Sequence, residues 1–366
     1  MRGATLFSGG GGVEAGLLDT VTFCHAVEYD ASIAAIYAQN IGAHVQVRKV
    51  EDVDYSTWGA LDYLHGSPVC KEYSPAKASG RESESDLTSA AAVVRCLEAT
   101  QPRVFTLENV GAYQHSQAFR LIVSWLNHNG YMWHAEILNS ADFGVPQTRR
   151  RLILRAVRDA LLPTLPPPVK WCGWFEAIED LIPELPESQF APWQLARLPK
   201  ALKESTAIAQ GKYGDALVTA KQTQPLFTIT ANSNQTGLRA FIVDGQTNDA
   251  SARITVPHSD APMYTVSASC DRRPARAFLM RDDNAGQEWG KQYRAQHEPA
   301  YSQSGSSGGR AWLTTGRVVK MTPRALARFQ SFPDWYTLPA KASLACTIIG
   351  NAVPSHMMAA IVRPLL

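Results

Sequence analysis

Short apolar runs alternate with helical patterns along the first 160 residues of the chain. Short apolar runs bounded by turn residues predict buried strands, and apolar positions that recur at helical spacing predict amphipathic helices. This alternation predicts an α/β fold, with a Rossmann-like, parallel-rich sheet and helices on both of its faces. The predicted strands are residues 4–7, 22–28, 45–48, 60–64, 104–107, 133–138 and 151–157, and the predicted helices are residues 13–18, 32–40, 87–99 and 117–129.

The pattern changes after a proline-rich stretch near residue 165, and residues 170–310 are polar and irregular with short β-like pieces. A weak internal repeat lies in this region. Residues 225–231 resemble residues 262–268, and each run is followed by a similar segment, at 239–244 and at 276–281. The repeat predicts two related β units in a smaller, irregular β-containing domain.

Regular patterns return near the end of the chain. Thr322 followed by Pro323 predicts a helix start, with Thr as the N-cap and Pro at the first helical position. Pro354 opens a final helix, and both tail helices are amphipathic, so we expect them to dock on the N-terminal core. The predicted domains are residues 1–165 (the first part of a catalytic domain), 166–311 (an inserted domain) and 312–366 (a segment that completes the catalytic domain).

Composition adds only broad limits. The chain has 45% hydrophobic and 19% charged residues, which is ordinary for a globular protein with a core. Charges interrupt the apolar runs and no secretory signal is evident, so we expect a cytoplasmic protein without a membrane span. The six cysteines form no Cys-x-x-Cys pair, which indicates neither a zinc site nor a disulfide framework, and no metal is expected. A net charge of +2 neither requires nor excludes a nucleic-acid partner.

A glycine run at residues 9–12 separates the first predicted strand from the first predicted helix. Glycines let a ligand approach the backbone, and a helix N-terminus attracts an anion, although an ordinary tight turn has the same pattern. Residues at the ends of the next two strands favour an adenosine-containing cofactor. Glu28 is suited to accept hydrogen bonds from ribose hydroxyls, Tyr29 to stack on adenine, and Asp52 with Val53 to read the adenine edge.

Three further segments carry groups suited to chemistry. Cys70 lies in a loop punctuated by proline and glycine, and polar neighbours such as Lys71 favour a reactive cysteine over a buried structural one. Glu108 follows an apolar strand, where apolar surroundings would let it hold or deliver a proton. Arg149 and Arg151 alternate at the start of a strand and should therefore point to one side.

Taken in order, these segments resemble the motifs of the cytosine-C5 DNA methyltransferase family. The resemblance covers roughly residues 1–160 and 315–366, and although each motif is weak alone, their common order is highly specific. The matching segments are residues 7–12, 28–30, 66–74, 108–110, 144–151, 324–333 and 349–354.

The resemblance implies S-adenosylmethionine as methyl donor, double-stranded DNA as substrate, and the inserted domain as a target-recognition domain. It implies that Cys70 adds to C6 of a flipped cytosine, that Glu108 hydrogen-bonds or protonates N3, and that Arg149 and Arg151 orient the base and hold Cys70 or the sugar-phosphate. A monomer is expected, with a cognate restriction endonuclease as candidate genetic partner. The residues implied to bind the cofactor are Phe7, Ser8, Gly9, Gly10, Gly12, Glu28, Tyr29, Asp52, Val53, Pro68, Asn351 and Ala352.

Four positions depart from the family pattern. Thr5 stands where an acidic residue is common, and Ser331 replaces the Gly of Gln-Gly-Phe-Pro. Val69 and Lys71 replace the Pro and Gln that flank the cysteine, which loosens the loop and places a cation beside the nucleophile. One hypothesis is that Lys71 pairs with an anionic group on an altered donor, so that the transferred group is larger than methyl.

Three other functions compete with DNA methylation. A tRNA cytosine-C5 methyltransferase would use the same chemistry, but an insert of about 140 residues favours reading of duplex DNA. An NAD-dependent oxidoreductase would explain the glycine run and Glu28 but not the later motifs. A catalytically silent DNA-binding module predicts that a key side chain is missing, whereas Cys70, Glu108, Arg149 and Arg151 are all present.

Overall fold

The computed structural model describes residues 1–68, 83–187, 237–243, 276–280, 300–301, 308–312 and 318–366. Within these ranges the strands are β1 (Arg2–Leu6), β2 (Thr22–Glu28), β3 (Val45–Val47), β4 (Tyr63–Gly66), β5 (Val104–Asn109), β6 (Tyr131–Asn139), β7 (Gln147–Thr148), β8 (Arg150–Arg158), β9 (Gly237–Val243), β10 (Arg276–Met280), β11 (Ala300–Tyr301), β12 (Gly308–Trp312) and β13 (Val318–Lys320). The helices are α1 (Gly12–Ala15), α2 (Ala31–Asn40), α3 (Glu84–Thr100), α4 (Gln117–His128), α5 (Trp174–Ile178), α6 (Pro323–Phe329), α7 (Ala342–Asn351) and α8 (Ser355–Val362).

Seven strands form one sheet in the order β3-β2-β1-β4-β5-β8-β6. The first five strands in this order are parallel, and β8 runs antiparallel to both of its neighbours, β5 and β6. The predicted α/β, Rossmann-like, parallel-rich sheet is therefore confirmed. The antiparallel position of β8 was not predicted, because the direction of a strand leaves no mark in its apolar pattern.

Helices cover both faces of the sheet, as predicted. One core contains Val93 and Leu97 of α3 together with Ile122 of α4, all fully buried. The other core contains Val13 of α1 and Met357 of α8. Burial on both faces explains why the central strands are nearly continuous apolar runs.

Two predicted elements have different bounds in the structure, and one helix was not predicted. The predicted strand at residues 60–64 begins later, since Tyr63 is the residue that pairs with Gly3 of β1. The helix predicted at residues 13–18 ends at Ala15, because Gly16 is a poor helix former and its N–H bonds instead to Val13 O in a tighter turn. Helix α7 was not predicted. No side chain caps its N-terminus, so the sequence carries no capping signal for its start.

The tail helices lie against the N-terminal half, as their amphipathic patterns predict. Thr322 accepts a hydrogen bond from the Ala325 N–H, which confirms the predicted start of α6. The segment Ala342–Leu365 is long and apolar enough to cross a membrane, contrary to the expectation that charges interrupt every such run. Its apolar window is 72% buried inside the fold, which is typical of core helices.

The segments on either side of the insert lie next to each other. Glu187 and Val319 form an antiparallel bridge, and α5 packs beside α6. Within the insert, β9 and β10 pair antiparallel with Phe241 opposite Phe278, the equivalent residues of the two predicted repeats. The first run of each repeat lies outside the described residues, and the domain boundaries stay a prediction.

Candidate active site

The carboxyl ends of β1, β4 and β5 lie side by side at one edge of the sheet. Leu6 pairs with Gly66, and Gly66 pairs with Leu107. The glycine run and the segment that leads to Cys70 therefore leave the sheet beside Glu108 and Asn109, the last two residues of β5. In open α/β sheets this edge is where ligands bind.

The predicted nucleophile, Cys70, lies outside the described residues, as do Val69 and Lys71. The segment is described up to Pro68, which is buried and whose carbonyl accepts a 2.8 Å hydrogen bond from Asn109 Nδ2. Ser67 Oγ donates to Phe7 O at 3.3 Å. The backbone that enters the cysteine loop is thus held both by β5 and by the first residue of the glycine segment.

Glu108 and Arg151 form a buried ion pair, with Arg151 Nε 3.0 Å from Glu108 Oε1. The expected apolar surroundings of Glu108 are therefore wrong, since a guanidinium lies against its carboxylate. The alternation predicted for the arginines is confirmed, because Arg149 and Arg151 are buried while Arg150 between them is exposed.

Arg149 packs against the tail of the chain, and its expected role of orienting the base or holding Cys70 or the sugar-phosphate stays a prediction. It is only 3% exposed, and its NH1 donates to Gly350 O at 3.1 Å. Burial, together with the nearby charge of Arg151, lowers the pKa of Arg149 to about 9, so that the guanidinium still carries its charge at neutral pH. The arginine segment and the last motif of the chain are joined by this bond.

Two glycines of the run pack against the tail, and the role in cofactor binding expected for Gly9, Gly10 and Gly12 stays a prediction. A methyl group added to Gly10 would lie 2.4 Å from a side-chain carbon of Ile348, and one added to Gly12 would lie 2.7 Å from Val353 O. Gly9 is different, with a φ of +53° and no atom of the described residues within 4 Å of such a methyl group. Gly9 is therefore the glycine whose open side suits a ligand.

Glu28 is tied directly to that open glycine. Its carboxylate accepts hydrogen bonds from Gly9 N at 3.0 Å and from Asp30 N at 2.8 Å. Burial raises the pKa of Glu28 above its ordinary value. Tyr29 beside it is 63% exposed, so its ring is available for stacking.

The other predicted cofactor residues are more dispersed. Ser8 Oγ bonds to Thr5 and accepts from Val27 N, so its hydroxyl is used within the fold. Asp52 is exposed and Val53 is buried after a short 3₁₀ turn that follows β3. An open glycine, a buried carboxylate and an exposed aromatic ring beside it fit an adenosine-containing cofactor.

Asn351 is exposed at the end of α7, and Ala352 follows it in extended backbone. Gln330 is fully buried and donates from Nε2 to both Ile349 O and Ala352 O, at 3.1 and 2.8 Å. The Tyr336 hydroxyl donates to Gly10 O, and the Ser355 hydroxyl to Gly12 O. Sequence analysis named none of these three donors, whose role becomes visible only when the tail is seen against the glycine run.

Glu14 is a buried acid that sequence analysis also missed. The Thr5 hydroxyl donates to Glu14 Oε1 at 2.5 Å, and Tyr37 contributes a further hydrogen bond. Burial raises the pKa of Glu14 to about 7. Thr5, noted in the sequence as an unusual residue for its position, is thus the hydrogen-bond partner of a buried carboxyl group.

Comparison with known proteins gives an independent line of information. The family model described as C-5 cytosine-specific DNA methylase matches residues 1–366. Relatives include the Type II methyltransferase M.Bsp6I of Bacillus sp. (strain RFL6), 29% identical over 163 residues, which are 43% of this chain and 52% of that protein. The Type II methyltransferase M.XorII of Xanthomonas oryzae pv. oryzae is 27% identical over 279 residues, which are 73% of this chain and 59% of that protein.

The chain spans about half the length of several curated relatives that it matches. Among solved structures, the S. pombe Dnmt2 methyltransferase has a TM-score of 0.56 at 12% identity, covering 100% of this chain and 99% of that one. At this identity the likeness shows a shared fold.

Proposed function

The chain belongs to the C-5 cytosine-specific DNA methylase family, and we propose that it transfers a methyl group from S-adenosylmethionine to C5 of cytosine in double-stranded DNA. One observation carries the proposal. The sheet edge at the ends of β1, β4 and β5 brings the open Gly9 segment, the entry to the Cys70 loop and the Glu108–Arg151 pair together. A cofactor segment and an acid–base segment then both lie beside Pro68, the last described residue before the predicted nucleophile.

The residues suited to hold the cofactor are Gly9, Glu28 and Tyr29, with Asn351 and Ala352 on the side of the tail. Gly9 offers backbone without a side chain in the way, and Glu28 and Tyr29 offer a carboxylate and an exposed ring. When bound, S-adenosylmethionine supplies an electrophilic methyl group for C5.

The chain's own residues would make C5 reactive. Cytosine C5 is a poor nucleophile, and addition of the Cys70 thiolate to C6 places electron density on C5. Glu108 hydrogen-bonds or protonates N3, where charge develops as the C–S bond forms, and Arg151 holds the Glu108 carboxylate in place. Loss of the C5 proton to a base then allows the C–S bond to break, which restores both the aromatic ring and the thiolate. Because C5 and C6 are inaccessible inside a duplex, the base must be flipped out.

Trapping with DNA that carries 5-fluorocytosine tests this mechanism. A base cannot remove fluorine from C5 as it removes the proton, so the C–S bond does not break and the adduct persists. We expect the wild-type protein, with S-adenosylmethionine, to gain the mass of the DNA strand, and the Cys70→Ala variant to gain none. Cys172→Ala is a suitable control, because Cys172 is half-buried and its thiol contacts Gly173 O and the carboxylate of Glu176 in α5. An adduct that survives Cys70→Ala would contradict the assignment of the nucleophile.

The substrate is tested separately by transfer of labelled methyl groups to duplex DNA and to tRNA. We expect label in DNA as 5-methylcytosine. Label in tRNA alone would favour the RNA alternative, and failure of plain S-adenosylmethionine to react would favour an altered donor. Because the relatives include Type II methyltransferases, we propose that the modification protects DNA from a cognate restriction endonuclease, and bisulfite sequencing of host DNA would show its sequence context.

A further inference from the structure

The C-terminal end of α7 is held by side chains from outside the helix. The last carbonyl groups of a helix have no partner within it and need donors from elsewhere. Here the backbone turns extended at Ala352, and Gln330 Nε2 donates to Ile349 O while Arg149 NH1 donates to Gly350 O. The two accepting carbonyl groups belong to the residues that directly precede Asn351 and Ala352.

The charge of Arg149 suits this position. The C-terminal end of a helix carries partial negative charge, so a cation there is favourable. At 3% exposure, the guanidinium cannot reach a DNA phosphate without leaving its site in the core. Its contact with the tail therefore accounts for its position better than a contact with DNA does.

The backbone around Arg149 is fixed as well. Its N–H donates to Asn139 Oδ1 at 3.1 Å, and its carbonyl accepts from Ser140 N at 3.0 Å. The preceding strand β7 pairs with β11 of the insert, through Gln147 and Ala300. A side chain anchored in this way can hold the end of α7 at a constant distance from the sheet.

We propose that Arg149 is a positioning residue for the cofactor, which fixes Asn351 and Ala352 through Gly350 O, while Arg151 alone of the pair serves the target base through Glu108. The inference rests on the proposed function, because it assumes that Asn351 and Ala352 contact the cofactor. It also separates two arginines to which the sequence motif assigns a common role.

Two measurements distinguish a role of Arg149 in cofactor binding from a role at the target base. The first is the Kd for S-adenosylhomocysteine, obtained by calorimetry in the absence of DNA. The second is release of tritium from C5 of cytosine in DNA without cofactor, which reports addition at C6 followed by exchange of the C5 proton. We expect Arg149→Met to raise the Kd at least about tenfold, since a hydrogen bond from a charged group is lost, and to change tritium release by less than about threefold.

Arg149→Lys should restore the Kd to within about fivefold of wild type, because Lys keeps one donor and the charge. Arg155→Met is the matched control, since Arg155 is also buried and also donates to a carbonyl, that of Pro163 at 2.8 Å. It should leave the Kd unchanged. If Arg149→Met does not fold, Arg149→Gln takes its place, because it keeps a donor without the charge, and the same rise of the Kd is expected.

An unchanged Kd combined with loss of tritium release in Arg149→Met would overturn the inference and return Arg149 to the target base. An equal loss of affinity in Arg155→Met would also overturn it, because the effect would then be one of general stability. Failure of the proposed function has a different signature, in which the wild-type protein binds S-adenosylhomocysteine yet releases no tritium from DNA.

Discussion

Arg151 Nε lies 3.0 Å from Glu108 Oε1, and each side chain is only about one-tenth exposed. Removal of one member of such a pair leaves the other charge buried without a partner, which typically costs about 3–5 kcal/mol. We expect Glu108→Gln and Arg151→Met each to lower the free energy of unfolding measured in urea by about that amount. The double variant should be more stable than either single variant and still lack methyl transfer. Additive losses in the double variant would show that the pair is not coupled.

The hydrogen bond from Asn109 to Pro68 O predicts an effect on rate. Asn109→Ala releases the backbone two residues before Cys70, and small displacements of reacting groups have large costs. We expect kcat to fall about tenfold or more, with little change in the Kd for S-adenosylhomocysteine. Asn129→Ala is the control, since Asn129 is exposed and its side chain donates to Trp125 O of α4. Equal effects of the two substitutions would refute a role of Asn109 in placing the loop.

Glu14 predicts a pH dependence of stability. Its pKa is raised by burial from 4.5 to about 7, so between these values the folded state binds more protons than the unfolded state. The free energy of unfolding therefore decreases as pH rises through this window. Glu14→Gln removes that dependence, and we expect it to be more stable than wild type at pH 8 by up to about 3 kcal/mol, with little difference at pH 5.

Urea unfolding at a series of pH values measures the effect. Glu98→Gln, which changes an exposed acid of α3, should follow the wild-type curve. Parallel curves for wild type and Glu14→Gln would mean that Glu14 titrates alike in the folded and unfolded states.

The backbone conformation and the hydroxyl group of Ser331 predict which of two substitutions there is the less stable. It has a φ of +59°, a region that favours glycine, yet its hydroxyl accepts from His356 N at 3.1 Å. That bond satisfies a free N–H in the first turn of α8, whose N-cap, Pro354, offers no side-chain acceptor. Ser331→Ala keeps the strain and loses the bond, so we expect a loss of about 1 kcal/mol. Ser331→Gly also loses the bond but relieves the strain, and should unfold at a higher temperature than Ser331→Ala.

Substitutions at two positions of the glycine run should have different effects, one on stability and the other on cofactor affinity. Gly12→Ala places a methyl group against Val353 O, so we expect a loss of about 1–3 kcal/mol of stability. Gly9→Ala meets no atom in the part of the chain that the structure describes, and we expect it to cost only about 1 kcal/mol of backbone strain. Its main effect should be on the Kd for S-adenosylhomocysteine, raised about tenfold. A Gly9→Ala protein that binds this ligand as wild type does would contradict the placement of the cofactor.

Much of the fold could be predicted because the apolar pattern reports burial directly. The strands that lead to Gly66 and Glu108 were located within a few residues, and the alternation of Arg149 and Arg151 predicted that both side chains point to one side. The pattern cannot report which buried group bonds to which. The contact of Arg149 with Gly350 joins positions 201 residues apart, and no local signal connects them.

Polar residues inside the core were the main group that could not be recognised as buried from the sequence. Glu14 and Gln330 read as surface residues on polarity alone, and both are almost fully buried. Each is tolerated there because hydrogen-bond partners come from distant segments, Thr5 for Glu14 and the end of α7 for Gln330. Burial of this kind depends on tertiary packing, which the sequence pattern does not contain.

The bridge between Glu187 and Val319 brings together the two ends of the segment between them, so that segment can change in length during evolution. Since the two ends of the intervening segment are already neighbours, doubling its length adds only about 0.6 kcal/mol of closure entropy. A shorter or longer segment from a homologous chain can therefore be grafted between these residues without displacing the sheet. The role in target recognition that we expect for this segment would then let new sequence preferences evolve by exchange of the segment while the chemistry stays constant.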